Sequence, residues 1–332
     1  MTTTIAPHIV RGLSIEDYHA DPHFISHSQV KDFLERGPRY FYERNVSRTL
    51  PRTETEAFRF GQACELLVQE GEDAYRKAVH ALVGDGRTAE VKNAKKAAIA
   101  SGKILITEED EQAIFAMRDA VTSDCTDAMS MIAHAESQVT LRGGLEGLAV
   151  QSRPDWCSLD AFGPWTMDFK TTKNLDDLVQ ATEQGFVGGP AIVRLGYPTQ
   201  AALAQHLMAA CGYPDCATYL LIAEKQAPYR AVCVDIAPFL HAAHETLRLA
   251  VQKLQRCYEQ NAFPRVLSPG RVQGEGESAP LIPTLARPRW MERQERDARR
   301  EPAAEREPPL NASDWGDPYA RPEDGQETAD WP

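Results

Sequence analysis

The chain has 332 residues, of which 42% are hydrophobic and 25% charged. This composition is that of a globular protein with a large core, and it excludes wholesale disorder, collagen and a coiled coil. No run of 18 apolar residues occurs, the first residues lack the pattern of a secretory signal, and the seven cysteines form no CxxC pair. The sequence therefore predicts a cytoplasmic protein without a spanning helix, a disulfide framework or a cysteine-based metal cage.

The net charge of −12 bears on the class of partner. Binding to nucleic-acid phosphates requires Lys and Arg side chains, so a negative chain is a poor candidate for a passive DNA-binding protein. A bound divalent cation reverses the local charge of an acidic cleft, however, and binding depends on that local field. The charge therefore permits an enzyme that acts on nucleic acid, provided that it has a metal site.

The first part of the chain, residues 1–135, is predicted to be mainly helical. Ser26 or Ser28 caps a helix that Gly37 ends. Acidic residues follow Thr107 in the first turn of another helix, where the helix dipole favours them. The predicted helices and the core residues of the last one are Ser28–Arg36, Ala57–Gly71, Thr88–Ser101, the helix from Thr107, and Ile114, Met117 and Val121.

Beyond Ser137 the apolar pattern changes to a period of two, which is typical of strands. Three extended runs, SQVTLRG, GLAVQSRPDW and GPWTMDFKTT, predict a β-meander. Helices are expected over 175–184 and 198–210, then two strands, ATYLLIAEK and YRAVCVDI, and a helix over 238–261. This order predicts an α/β fold with a mixed central sheet flanked by helices, and its core spans 136–267.

The last segment, residues 268–332, differs in composition from the rest. It contains ten prolines in 65 residues and few aliphatic side chains. Such a segment buries too little apolar surface to offset the entropy of ordering, so we expect a disordered acidic tail after a folded unit over 1–267. Trp315, Tyr319 and Trp331 stand among acidic residues there, which favours either a docking element for a partner or a solubilising tail.

The residues that point to chemistry are Asp155 in Arg-Pro-Asp, and Asp168 and Lys170 in Asp-Phe-Lys. Alternate residues of a strand share a face, so Asp168 and Lys170 point to the same side. Twelve residues separate the aspartates, enough for a hairpin that brings their carboxylates together. Two convergent carboxylates suit Mg²⁺ or Mn²⁺, and a lysine beside them orients or deprotonates a water and stabilises charge on a phosphate.

This arrangement matches the PD-(D/E)xK nuclease signature. Both halves of the signature are short and frequent, and a β-hairpin with surface charges is the alternative explanation. Against it, Asp168 and Lys170 lie within the apolar run WTMDFKTT, where unpaired charges are costly to bury. The motif therefore predicts a restriction-endonuclease-like core and metal-dependent hydrolysis of phosphodiester bonds.

An ordered series of segments over residues 10–262 also resembles the phage and prophage recombination exonucleases of the RecE type, which include the C-terminal domain of exonuclease VIII. The segments are ISHSQVKDFLERGPRYFY, FRFGQACELLVQEG, the Lys-rich helix before SGKILITEED, RPDW, DFKTT, YPTQAALAQHL and IAEKQAPYRAVCVDI. The resemblance implies a Mg²⁺-dependent exonuclease that resects one strand of linear double-stranded DNA. It also implies a single-strand annealing protein as a partner in phage-type recombination.

The resemblance assigns metal ligands. Asp155, Asp168 and Lys170 match the catalytic motif, with the two aspartates holding the metal. Glu136 matches an upstream acidic position, as a ligand or through water, with a solvated strand-start residue as the alternative. Similar proteins carry G-x-x-x-H in a helix where this chain has Glu65 in place of the histidine, so Glu65 is expected to serve as an oxygen ligand.

The resemblance is weaker at two further places. Gln200 matches half of a Q-x-x-x-Y motif, because Ala204 stands where the tyrosine would be, and we expect Gln200 to contact Lys170 or the DNA backbone. A cluster of cations is either a solvated helix face or a basic rim that steers DNA into the cleft. The cluster consists of Lys92, Lys95, Lys96 and Lys103, with Arg36, Arg39 and Arg44 upstream.

The sequence thus predicts a Mg²⁺-dependent exonuclease, with Mn²⁺ as a substitute, that acts on double-stranded DNA ends. One alternative is a structure-specific or site-specific endonuclease on the same fold. Another is a non-catalytic DNA-binding protein with a relict site, for which the replaced histidine and tyrosine are the argument. The sequence predicts no membrane partner and leaves homo-oligomerisation open.

Overall fold

The structure is a computed structural model, which describes residues 5–51, 55–84, 87–160, 163–183 and 185–264. All of these belong to a compact unit, Met1–Pro269. The predicted tail over 268–332, with its three aromatic residues, lies outside the described residues. None of the helices in the described ranges has an apolar stretch long enough to cross a membrane.

Helices occur before and after residue 136, where the sequence predicts the change from a mainly helical part to the core. A π-helical turn over Tyr42–Val46 and a 3-10 turn over Leu175–Asp177 accompany them. The α-helices are α1 Ile15–Ala20, α2 His27–Arg36, α3 Pro38–Phe41, α4 Glu56–Ala78, α5 Ala89–Ala100, α6 Glu108–Asp124, α7 Thr126–Ile132, α8 Pro190–Arg194, α9 Tyr197–Ala210 and α10 Ala237–Glu259.

The strands form one larger sheet and three smaller ones. The strands are β1 His8–Val10, β2 Ile25–Ser26, β3 Val79–Leu82, β4 Ile104–Thr107, β5 Glu136–Ser137, β6 Thr140–Leu145, β7 Leu148–Ser152, β8 Trp156–Ser158, β9 Trp165–Thr172, β10 Val179–Thr182, β11 Gly185–Gly188, β12 Ala217–Glu224 and β13 Ala231–Asp235. The central sheet has the order β13-β12-β9-β8-β5, and β1-β6-β7-β2 form a second sheet. The pairs β3-β4 and β10-β11 complete the set.

The central sheet is mixed, as the sequence predicts. Strand β12 runs parallel to β9, with Leu220 opposite Asp168 and Ile222 opposite Lys170, while β8 and β13 are antiparallel to their neighbours. A parallel pair requires a crossover connection, which α8 and α9 supply. Strand β9 lies inside the sheet, with β12 on one side and β8 on the other. The Asp-Phe-Lys segment that it carries is therefore flanked by a strand on each side.

The core lies on the two faces of this sheet. On one face, β12 packs Leu220 and Ile222 against α9 and α10; on the other, Leu221 and Ala223 meet α4 and α6. Because successive strand residues point to opposite faces, the same strand serves both layers. The buried residues Ile114, Met117 and Val121 of α6 belong to the second layer, as the helical spacing predicts.

Two parts of the predicted chain course are wrong. The meander is wrong because GLAVQSRPDW is divided: β7 pairs with β6 in the second sheet, whereas β8 joins the central sheet. The break falls at Arg153 and Pro154, where proline has no N–H for a ladder. The helix over 175–184 is also wrong, since only a 3-10 turn forms before β10 pairs with β11. The backbone N–H of Leu175 donates to the side chain of Glu224 over 3.0 Å and holds that turn instead.

Candidate active site

The β8-β9 hairpin brings the two aspartates together. The last pair of the β8-β9 ladder is Trp156 with Met167. Asp155 and Asp168 come next to this pair, one on each strand, at the same end of the ladder. The backbone N–H of Phe169 donates to Asp155 Oδ2 over 2.6 Å, and Phe169 itself is buried in the core. Asp168 is only 3% exposed, which places a carboxylate inside the sheet rather than at its surface.

A third carboxylate reaches the same place from a helix. Glu65 lies in the middle of α4, where Ala63, Cys64 and Leu67 anchor the helix in the core. Asp155 is one of the groups that set the pKa of Glu65, so the two carboxyl groups lie close enough to interact.

The acidity of this pair is strongly disturbed. Burial, the charge of Glu65 and the charge of Asp168 raise the pKa of Asp155 well above its usual value. Burial also raises the pKa of Glu65, although Lys170 and the hydrogen bonds from Asp155 and Gln138 oppose that rise. Asp168 is buried and Asp155 and Glu65 are half-buried, and the cations near them are Lys170 and Arg153. The acidic groups outnumber the cations, which is the electrostatic condition that a divalent cation relieves.

Lys170 is the cation of the cluster. Its Nζ donates to Asp168 Oδ1 over 3.4 Å and lies 5.6 Å from the centre of the Tyr197 ring. Burial lowers the pKa of Lys170, but the carboxylates, Asp168 first and then Asp155, raise it by more, so the net direction is upward. The ammonium group is therefore held protonated and acts as a donor and a positive charge.

Helix α9 contributes a second donor to the same oxygen. Gln200 Nε2 donates to Asp168 Oδ1 over 2.7 Å, while no described residue donates to the other oxygen, Oδ2. Ala204, one turn later, is buried in the core and reaches no polar group. Gln200 thus orients the carboxylate of Asp168 and leaves one of its oxygens open.

A polar network behind Glu65 was not foreseen from the sequence. Gln138 Nε2 donates to Glu65 Oε1 over 3.0 Å, and Arg153 Nε donates to Gln138 Oε1 over 2.7 Å. Gln69, one turn after Glu65, accepts from Gln138 over 3.1 Å. The signal in the sequence is the position of Arg153 beside the Pro-Asp pair, but nothing there indicates that Gln138 completes the chain.

A second group that was not foreseen lies between α2 and the start of α9. His27 Nε2 and Thr199 Oγ1 are 2.9 Å apart, and Thr199 donates to the carbonyl of Gly196. Burial, then Lys170 and Lys31, lowers the pKa of His27 to about 3. This neutral imidazole fixes the turn from which Gln200 and Tyr197 reach the cluster.

Glu136 is not brought into the carboxylate cluster. Its carboxylate binds the guanidinium of Arg11 over 2.5 and 2.9 Å, and this hydrogen bond lowers its pKa. In the ladder it stands opposite Cys157, two positions away from Asp155. No contact among the described residues joins Glu136 to the aspartates, so its predicted role as a metal ligand stays a prediction without a supporting contact.

The cluster fits a hard divalent cation that retains water. Its donors are all oxygens, one oxygen of Asp168 accepts no hydrogen bond from a described residue, and the pKa values of Asp155 and Glu65 are raised, which a bound cation would oppose. Within the described ranges, no group of three or more His, Cys, Asp or Glu side chains is placed so that it could hold a metal ion. Mg²⁺ does not need such a group, because it is usually bound by one or two carboxylates and several waters.

Comparisons with known proteins agree on the fold. The family described as a PDDEXK-like domain of unknown function (DUF3799) matches residues 26–268. A crystal structure of a candidate exonuclease from Eubacterium rectale is similar over 81% of this chain and 97% of that chain, with a TM-score of 0.52 and 15% sequence identity. At that identity the likeness supports the fold alone. No curated protein matches the chain.

Proposed function

The chain belongs to the PDDEXK-like domain family, and on this premise we propose that it is a Mg²⁺-dependent deoxyribonuclease whose active site is the carboxylate cluster on β8, β9 and α4. The observation that carries the proposal is the juxtaposition of Asp155, Asp168 and Lys170, with Glu65 close enough to Asp155 to affect its pKa. The fold and the PD-(D/E)xK superfamily predicted from the sequence are confirmed. The narrower resemblance to RecE-type exonucleases stays a prediction.

The residues divide the work as follows. Asp155 and Asp168 would hold the cation, and Glu65 would offer a further oxygen directly or through water. When bound, the cation would polarise the phosphoryl group and lower the pKa of a coordinated water. Lys170 stands protonated, so it orients the attacking water and stabilises the negative charge that grows on the phosphate, rather than removing a proton.

The remaining groups keep this arrangement in place. Gln200 holds Asp168 from one side, and Gln138 holds Glu65 from the other. Such side chains fix the ligands before substrate arrives. Their loss typically reduces metal affinity or activity by about 10- to 100-fold. His27, kept neutral, adds no competing charge beside Lys170.

We further propose that the substrate is the end of linear double-stranded DNA and that the products serve recombination. This step is supported by the resemblance of the sequence to RecE-type exonucleases. An annealing protein as partner belongs to the same proposal. The alternative function is an endonuclease on the same fold, because the carboxylate cluster serves either substrate geometry.

One incubation separates these functions. Linear and covalently closed circular duplex DNA are mixed with the full chain, with Mg²⁺ and with EDTA. An exonuclease degrades only the linear form and only with Mg²⁺. Cleavage of the closed circle indicates the endonuclease, and intact DNA in every tube contradicts the proposal of a nuclease.

A further inference from the structure

A cavity of about 510 Å³ lies beside the first turns of α4, at a distance from the carboxylate cluster. This volume is within the range of ordinary ligand sites. Three cationic side chains border it: Arg59 from α4, Lys95 from α5, and Lys103 just after α5. Arg59 is six residues before Glu65 on the same helix, a separation of about 9 Å along the axis.

The three cations have no partner among the residues that the structure describes. No hydrogen bond or ion pair joins the side chains of Arg59, Lys95 or Lys103 to another residue in the described part of the chain. The Nε atom of Arg59 is buried and unpaired. Since buried donors in native proteins almost always have an acceptor, this nitrogen requires one that the described residues do not supply.

Two carboxylates also border the cavity, but they do not neutralise the cations. Asp110 is engaged in the cap of α6, where its Oδ2 accepts from the backbone N–H of Thr107 over 3.3 Å. Glu56 lies at the first position of α4. The cavity lining has three cations and two carboxylates and is therefore positive. The buried unpaired nitrogen belongs to the guanidinium of Arg59, a group suited to phosphate.

Lys225 contacts both the strand that carries Lys170 and the helix that carries Arg59. Its backbone N–H donates to the carbonyl of Thr172, two residues after Lys170 on β9. Its Nζ lies 4.5 Å from the centre of the ring of Phe60, the neighbour of Arg59 on α4. Since Ile222 stands opposite Lys170, Lys225 is three residues, or about 10 Å, farther along the sheet.

We propose that this cavity is a second phosphate site, which binds the backbone of the nucleic-acid strand whose scissile bond lies at the carboxylate cluster. One DNA strand carries a charge about every 3.4 Å along the helix axis, so the distance from Lys170 to Lys225 corresponds to about three phosphates. Lys170, Lys225 and Arg59 would then follow one strand. The inference rests on the proposed function, since it names the path of that substrate.

The test uses two adjacent lysines on α5, of which only one borders the cavity. Binding of a fluorescent 30-base-pair duplex is measured by anisotropy, in Ca²⁺, over a range of salt concentrations. Lys95→Gln should reduce the slope of log affinity against log salt by about one, and weaken binding about eightfold near 0.1 M salt. Arg59→Gln should do the same, whereas Lys96→Gln, the matched control, should leave slope and affinity nearly unchanged.

Several outcomes overturn the proposal. Equal losses in Lys95→Gln and Lys96→Gln would show that the general field of α5 acts and not the cavity. If inorganic phosphate raises the melting temperature of the parent but not of Arg59→Gln, while DNA binding is the same in both, the cavity takes a small anion and not a DNA strand. Should Arg59→Gln fail to fold, Lys95→Gln, an exposed helix residue, still decides.

The proposed nuclease function fails separately. Binding that depends on Arg59 and Lys95, in a protein that cuts no DNA with Mg²⁺, would support the phosphate site and reject the nuclease. Cleavage by a protein whose DNA binding is unaffected by both substitutions would reject the phosphate site alone. Glu56→Gln gives a change of opposite sign: removing this carboxylate from the cavity should strengthen DNA binding.

Discussion

Two adjacent strands of the central sheet, β12 and β9, each carry a buried carboxylate, and the surroundings of these two carboxylates differ in charge. At the end of β12, Glu224 is 5% exposed and accepts from Arg230 over 2.9 and 3.0 Å and from the backbone of Leu175 over 3.0 Å. The hydrogen bond from Arg230 lowers the pKa of Glu224. Every interaction of this carboxylate is supplied by the chain.

On β9 and its neighbours the balance is reversed. Asp155, Asp168 and Glu65 outnumber the cations near them, Lys170 and Arg153, and the pKa values of Asp155 and Glu65 are raised. On β12 the buried carboxylate is fully paired, whereas the carboxylates around β9 outnumber the cations near them. We infer that a buried and paired carboxylate serves the stability of the fold, and that surplus negative charge marks a candidate functional site.

The largest expected effect comes from removing the cation of the underpaired cluster. Lys170→Ala should reduce Mg²⁺-dependent cleavage of linear DNA by about 10²- to 10⁴-fold, because the donor to the water and the phosphate is lost. The response of the melting temperature to Mg²⁺ should remain, and binding of duplex DNA should weaken only by the contribution of one phosphate contact. Cleavage at the parent rate would place the active site elsewhere.

The matched change in the paired cluster should affect stability and not cleavage. Arg230→Met leaves Glu224 buried without its partner, and we expect a loss of about 2–3 kcal/mol in the free energy of unfolding, since Arg230 is partly exposed. Urea unfolding measures this loss. The rate of cleavage per folded molecule should equal that of the parent, and a rate as low as that of Lys170→Ala would mean that the two clusters do not differ in kind.

A smaller effect of opposite sign is expected at Asp155. Without metal, its ionisation opposes folding, so Asp155→Asn should raise the melting temperature in EDTA by a few degrees, about 2–4 °C for each kcal/mol in a domain of this size. In the parent, stability in EDTA should rise as the pH falls from 8 through the raised pKa values of Asp155 and Glu65, because the folded state then binds more protons than the unfolded state.

Glu224 should show the opposite dependence on pH. Its lowered pKa contributes stability that is present above the ordinary value of 4.5 and is lost as the pH falls through its folded value. Melting curves of the parent and Asp155→Asn between pH 8 and 4 separate the two contributions. Identical profiles for the two proteins would show that Asp155 is not the group with the raised pKa.

The sequence predicted the part of the site that follows from local periodicity. Asp168 and Lys170 share a face because strand residues alternate, and the spacing to Asp155 allowed the hairpin that forms. Gln138 and His27 were not predicted, because their roles depend on which helix packs on which strand. Such contacts join residues far apart in the chain, and no local pattern records them.

The same limit explains the errors in the fold. The run through Arg153 looks continuous in apolar pattern, yet it passes from one sheet to another, and only pairing partners reveal the change. The segment after Lys170 was predicted as a helix from local propensity. Tertiary contacts from Glu224 and Arg230 to Leu175 and Asp176 override that propensity and leave one 3-10 turn.

Calorimetric titration of the metal-free protein with Mg²⁺ tests the central claim most directly, since the underpaired cluster is held to require a cation. We predict saturable binding by the parent and by Glu224→Gln, release of protons on binding at neutral pH, and loss of binding in Asp168→Asn. The proton release follows from the raised pKa values of Asp155 and Glu65, since metal binding requires both groups to be deprotonated. Absence of binding by the folded parent, or unchanged binding by Asp168→Asn, would contradict the account.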